Sequence, residues 1–333
     1  MKAITYKRYG GPEVLEISDV PMPTPKANEV LVKTFAATIS TGDWRARSLT
    51  VPRGMGWAAR LVFGVFGPRK QVLGTELSGV IAAVGLDVTK FKLGDEVFAF
   101  PGVGFGSHAE YRTMPEDGKI LLKPHNLSFE QAAAIPFGGS TALDFLRNKG
   151  GIKAGESVLI IGASGAVGSA AVQLAKHFGA EVTGVCSTGN LELVRSLGAD
   201  HVIDYIDEDF TKNGKRYDMI VKTTGPLTWK QTKGSLTDTG RMLLIMGDLP
   251  DMLRSAFLSK RSGKKLIGGV AAERAEDLKF LADLAIEGKF TPLVDRAFPF
   301  EQFVKAHALV DSGHKKGSVV LSLIHETPLR AAI

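Results

Sequence analysis

Residues 157–182 read SVLIIGASGAVGSAAVQLAKHFGAEV, an unbroken apolar run, a glycine-rich turn and an amphipathic segment. Few folds accept that order. The apolar run suits a strand buried on both faces. After the turn, Val167, Ala171, Leu174, Ala175 and Phe178 recur at helical spacing. Gly162, Gly165 and Gly168 fall where a strand must reverse tightly into a helix. Glycine there permits a positive φ, lets backbone N–H groups approach an anion, and lets helix and strand pack closely. The helix N-terminus adds unpaired N–H donors and partial positive charge. Ser164 offers a hydroxyl beside them. A second strand, EVTGVC, follows some twenty residues on. Strand, turn, helix and strand together predict a dinucleotide site; a plain packing turn is the bland alternative.

Strands and helices keep alternating from about Ser128: SVLIIGA, EVTGVC, HVIDY, DMIVKTTG, GRMLLIMG and KLIGGV are the strand candidates. This predicts a doubly wound parallel sheet. The first third is different. KAITY, VLEISDV, EVLVKTFAATI, ELSGVIAAVG, GDEVFAF and SHAEYRTM read as strands of an irregular antiparallel domain, broken at Pro21, Pro23 and Pro25. Ser128 and Gln131 stand at capping-box spacing before a helical stretch. The tail strand GSVVLSL is expected to return to the first domain. The predicted division is 1–127 with 268–333 for the β-rich domain and 128–267 for the parallel-sheet domain.

With 333 residues, 44% of them hydrophobic and 23% charged, the chain has material for two globular domains. The one cysteine, Cys186, permits neither an internal disulfide nor a cysteine-based metal site. With no signal-type apolar core in MKAITYKRYGG, it predicts a cytoplasmic chain. The net charge of +6 is spread rather than clustered, so nucleic acid is not the expected partner, and no segment is read as transmembrane.

A carboxylate commonly ends the second strand of such a unit and binds the ribose of NAD. Here the strand ends in Cys186, followed by Ser187, Thr188, Gly189 and Asn190. Neutral donors without a repelling carboxylate favour NADPH over NADH, although CSTGN also reads as a simple polar turn. Residues 44–71 are the least patterned. Their Trp44, Trp57, Phe63 and Phe66 suit a hydrophobic lid over a flat substrate, core packing, or a peripheral membrane touch.

The pieces YGGPEVLEI, VTKFKLGDEVF, AAAIPFGGSTAL, GASGAVGSAAVQLAKHFGAEV and STGNLELVRSLGADHVIDY resemble the zinc-free quinone oxidoreductases, zeta-crystallin-like, of the medium-chain dehydrogenase/reductase superfamily. The resemblance runs from Met1 to about Leu323. It implies an α/β chain with a GroES-like β-rich catalytic domain and a Rossmann cofactor domain. Zinc members place metal ligands where this chain has Ser40, Thr75 and Phe137, so no metal is expected. The implied activity is NADPH-dependent, zinc-independent hydride transfer to a quinone or α,β-unsaturated carbonyl.

Candidate donors to the substrate are Ser40 and Thr41. Candidate cofactor contacts are Thr141, Gly162, Ser164, Gly165, Ala166, Val167, Gly168, Ser187, Thr188, Asn190, Tyr205, Thr224, Met246, Gly247 and Lys316. Relatives often carry Arg at the position of Gly189 and Asp at that of Lys222. A homodimer through the GRMLLIMG and KLIGGV edge is expected. A non-catalytic nucleotide-binding protein and an RNA-binding protein of the same fold are the alternatives.

Overall fold

The computed structural model describes residues 1–245, 247, 250 and 263–323. Strand β1 (Lys2–Tyr6) pairs antiparallel with β2 (Leu15–Asp19). After the three prolines comes β3 (Glu29–Ile39), the spine of the larger β-sheet. Helix α1 (Thr41–Ser48) and helix α2 (Gly56–Phe63) interrupt the strands. Strands β4 (Leu77–Val84), β5 (Glu96–Ala99), β6 (Tyr111–Pro115) and β7 (Ile120–Leu122) complete the first third. β4 and β6 both pair antiparallel with β3. The inward residues of these strands, among them Val30, Val32, Ile81 and Val97, form one core with Phe105 of the β5–β6 connection.

Helix α3 (Phe129–Ala133) starts on the box the spacing predicts: Ser128 Oγ accepts from Gln131 N and Gln131 Oε1 from Ser128 N. Helix α4 (Pro136–Leu143) begins with proline at its first position and runs into a wider helical turn, Asp144–Lys149. The parallel sheet follows: β8 (Ser157–Ile161), α5 (Ala166–His177), β9 (Glu181–Cys186), α6 (Leu191–Ser196), β10 (His201–Asp204), β11 (Tyr217–Lys222), α7 (Trp229–Thr232), β12 (Leu236–Leu244) and β13 (Lys265–Gly268). The order is β10-β9-β8-β11-β12-β13 and every pairing is parallel. Strand order reverses between β8 and β11, which opens a crevice at their carboxyl ends.

Helix α8 (Ala275–Ile286) lays Leu278, Leu281 and Leu284 into the core that α4, α5 and β8 share. The chain then returns to the first sheet: β14 (Val294–Pro299), α9 (Phe303–Asp311) and β15 (Ser318–Ser322), which pairs antiparallel with β3. The chain thus holds a GroES-like β-rich unit, to which β15 belongs, and a Rossmann unit, and the α/β class expected from the sequence holds.

Candidate active site

The glycine turn leaves β8 into the crevice. Gly162 has φ +79°, and a Cβ on it would fall 2.5 Å from Thr224 Cγ2 and 2.6 Å from Thr223 Oγ1. Gly168 lets α5 press on the strand: its Cβ would meet Gly162 O at 2.0 Å. Gly165 differs, with only Gly162 O at 3.6 Å. It stands at the helix N-cap with no side chain to satisfy the first-turn amides of Ala166, Val167 and Gly168. That is an anion cradle with room in it. Gly317 N donates to Ser164 O at 2.8 Å, so the returning tail holds the turn from the far side.

Beside the turn, Asn190 Nδ2 donates to Ser187 Oγ at 3.0 Å and to Ser164 Oγ at 3.3 Å. Asn190 Oδ1 is buried with no partner among the described residues, an acceptor left for a ligand hydroxyl. Thr188 and Gly189 are exposed, and space around Gly189 is open. Cys186, read in the sequence as the ribose-facing strand end, is instead turned into the core. Burial pushes its thiol up to about 11, with Asp204 adding to the rise. Ser187 is the residue that faces the turn. Tyr205 is exposed, its N–H on Cys186 O.

A cavity of about 440 Å³ lies between the two units. Thr41 and Arg45 of α1, Ser140 and Thr141 of α4, Thr223 after β11 and Glu273 supply its polar groups. Phe137, Phe145 and Val167, with Met55 and Val62 from the α2 segment, supply apolar wall. Gly247 also lines it, while Met246 lies outside the described residues. Ser140 Oγ is buried with no partner among the described residues.

Ser40 and Thr41, paired in the sequence reading, part company here. Ser40 Oγ donates to Asp43 Oδ2 at 2.7 Å and accepts from Asp43 N at 3.2 Å and Thr75 Oγ1 at 3.1 Å. Its proton is committed to capping α1. Thr41 alone lines the cavity. Thr224 is exposed above Gly162, and Thr223 takes the cavity side. Lys316 is exposed and its N–H binds Asp295 Oδ2 at 2.8 Å. Its neighbour Lys315 turns inward; burial lowers its amine to about 8, with Glu76 opposing.

The metal-ligand positions of the zinc members do converge. A Cβ on Gly42 would lie 3.2 Å from Ser40 Oγ, 3.6 Å from Thr75 Cγ2 and 3.7 Å from Phe137 Cε2. Two hydroxyls and a phenyl ring do not suit zinc, which takes thiolate, imidazole or carboxylate. No group of three or more His, Cys, Asp or Glu able to hold a metal occurs among the described residues. Glu76, beside this point, is fully buried. It accepts from Thr38 Oγ1 and, at 2.6 Å, from Phe137 N. Burial raises its carboxyl to about 8.

Residues 26–125 match the alcohol dehydrogenase GroES-like domain and residues 197–321 the zinc-binding dehydrogenase domain. The chain is 34% identical to the chloroplast envelope quinone oxidoreductase homolog of Arabidopsis thaliana, covering 96% of this chain and 98% of that one. The chain belongs to the quinone oxidoreductase family of the medium-chain dehydrogenase/reductases. Within that family it is also 34% identical to the 2-methylene-furan-3-one reductase of Solanum lycopersicum, over 98% of this chain and 80% of the other. The quinone oxidoreductase structure from Coxiella burnetii superposes with a TM-score of 0.85 at 31% identity, over 97% and 99% of the two chains. This quinone oxidoreductase family member is therefore an NAD(P)H-dependent oxidoreductase.

The sequence reading missed Arg45, Ser140, Thr223 and Lys315. Arg45 had a signal: it stands four residues past Thr41, one helical turn along the same face. Lys315 had none, because the pairing of its loop with the glycine turn is tertiary.

Proposed function

We propose that this enzyme is a zinc-independent, NADPH-preferring reductase of quinones or α,β-unsaturated carbonyls. The observation that carries the reading is the cavity itself: an apolar slot beside the glycine turn whose metal-ligand positions hold Ser40, Thr75 and Phe137. The bound nicotinamide cofactor supplies the hydride. The protein's residues do the rest. Ser164, Ser187 and Thr188 form the neutral donor set for the 2′-phosphate end, the first two oriented by Asn190 Nδ2, with the α5 amides for the pyrophosphate. Thr141, Val167 and Gly247 wall the nicotinamide side. Phe137, Phe145 and Val62 exclude water from a flat substrate. Hydride arrival on the conjugated system drives negative charge onto the carbonyl oxygen. Thr41 and Ser140 line the slot, and their hydroxyls are the donors assigned to that oxygen. Delocalisation of the enolate or hydroquinone anion lowers the demand for a Lewis acid. The anion then takes a proton from solvent.

The domains are taken as 1–127 with 268–333 and as 128–267. A cytoplasmic homodimer is proposed, on the one buried cysteine and on β13, which among the described residues has a partner on one side only. The test is NADPH and NADH oxidation over a panel of quinones and enones, with and without chelator. Conjugated acceptors turned over faster with NADPH and unaffected by chelator support the reading; preference for NADH, for simple ketones, or loss in chelator overturns it.

A further inference from the structure

The segment around α2 has two unlike faces. Inward, Ala59 is buried, the Phe63 ring lies 6.3 Å from the Phe105 ring, and Tyr9 Oη donates to Gly64 O at 2.8 Å. Outward, Trp57, Leu61, Val65 and Phe66 are exposed, Trp57 to 67% and Phe66 completely. Trp57 and Leu61 stand one helical turn apart, and Val65 and Phe66 follow directly after the helix. No other ten-residue stretch of the described chain exposes as many large apolar side chains. Contiguous apolar surface of this kind marks a contact site. Around it lie Arg53, Arg60, Arg69 and Lys70, all exposed, and the chain carries no acidic residue between Asp43 and Glu76.

We propose that this face docks on an anionic lipid surface, Trp57, Leu61, Val65 and Phe66 entering the headgroup region while the four cations meet the lipid charge. Charge decides the occupant. A second copy would set the same cations against one another across a two-fold axis, whereas anionic lipid complements them. Tryptophan and phenylalanine beside arginine and lysine is the side-chain set of a helix lying in a bilayer interface. No helix among the described residues is long and apolar enough to cross a membrane, so the contact is peripheral. The opposite side of α2 walls the cavity through Met55, Ala58, Ala59 and Phe63, so docking sets that wall against lipid, the phase in which apolar conjugated carbonyls concentrate. Docking itself is independent of the reductase reading, because vesicle binding is read without turnover.

The experiment is flotation of the full chain with vesicles of phosphatidylcholine alone and of phosphatidylcholine with phosphatidylglycerol. Binding is expected to the anionic vesicles, falling as salt rises. Of the three tryptophans, Trp229 is buried and Trp44 half-buried, so a blue shift of emission on binding reports Trp57 and disappears in Trp57→Phe. Trp57→Ser with Phe66→Ser is expected to weaken binding about tenfold or more, and Arg60→Gln or Arg69→Gln about fivefold each. These side chains are exposed, and an unchanged melting temperature checks that the variants fold. The proposal falls if the wild type stays unbound on anionic vesicles at low salt, or if the double serine variant binds as the wild type does. It also falls if light scattering shows a self-assembly that Phe66→Ser abolishes, for the patch then belongs to a second copy.

Discussion

Replacing Glu76 by Gln is expected to stabilise the enzyme increasingly as pH rises from 5 to 8. The carboxyl is fully buried and its affinity for a proton rises on folding, from an ordinary 4.5 to about 8. Between those values the folded chain holds a proton that the unfolded chain has released. Stability therefore falls with rising pH, by about 1.4 kcal/mol per unit. From 4.5 to neutrality the loss is about 3 kcal/mol, and it ends once pH passes the folded-state value. Gln has no such loss. Its amide oxygen accepts from Phe137 N as Glu76 does, and its amide nitrogen donates to a Thr38 hydroxyl that has turned to accept. An unfolding entropy of about 2.1 cal/mol/K per residue makes 1.4 kcal/mol worth roughly 2 °C in a chain of this length. The difference in melting temperature between Glu76→Gln and wild type should widen by about 5 °C between pH 5 and 8, the slope flattening near each end. Scanning calorimetry in buffers of matched ionic strength measures it. A difference that stays flat across this range, or shrinks, would refute the argument, since Glu76 would then be ionised in the folded state.

Ser187→Asp places a carboxylate beside Ser164 and Asn190, where repulsion of a 2′-phosphate and a new acceptor for the ribose should shift the kcat/KM ratio toward NADH by about tenfold to a hundredfold; an unchanged ratio removes this turn from cofactor choice. Thr41→Val and Ser140→Ala should each lower kcat about tenfold or more, with the same change in kcat/KM, because each removes a donor to a charged oxygen worth about 1.5–3 kcal/mol. Metal analysis of the purified enzyme should give well under one zinc per chain, and chelator should leave the rate intact; a stoichiometric metal whose removal stops turnover is the contrary result.

Most of the architecture could be read from residue order. The β-branched and aromatic composition put KAITY and EVLVKTFAATI in strands with the bounds the structure has, and the glycine spacing marked the turn after β8. Both signals are local, since strand faces and tight turns are decided within a few residues. The site was less legible. The stretch ISTGD was read as a pair of donors, yet S-x-x-D is also a capping box, and the backbone amides of α1 took Ser40. Cys186 was assigned to the crevice because it ends β9; strand alternation sends its side chain to the other face and leaves Ser187 in the cleft. Residues 44–71 showed no single period because α2 faces a core, a cavity and an exterior at once. Lys315 and Lys316 are adjacent, and only tertiary contacts tell them apart: Lys316 N binds Asp295, while Lys315 Nζ reaches Gly317 O.

The bridge between Gly317 and Gly165 has a mechanical meaning. One residue later, Ser318 begins β15, which is sewn to the spine of the other sheet. The lever from the glycine turn to the β-rich unit is thus a single peptide long, with no slack to absorb rotation. Any swing of one unit against the other pulls directly on Ser164 O, and whatever fills the cradle resists that swing. Breathing of the cleft and occupancy of the loop are one motion seen from two ends.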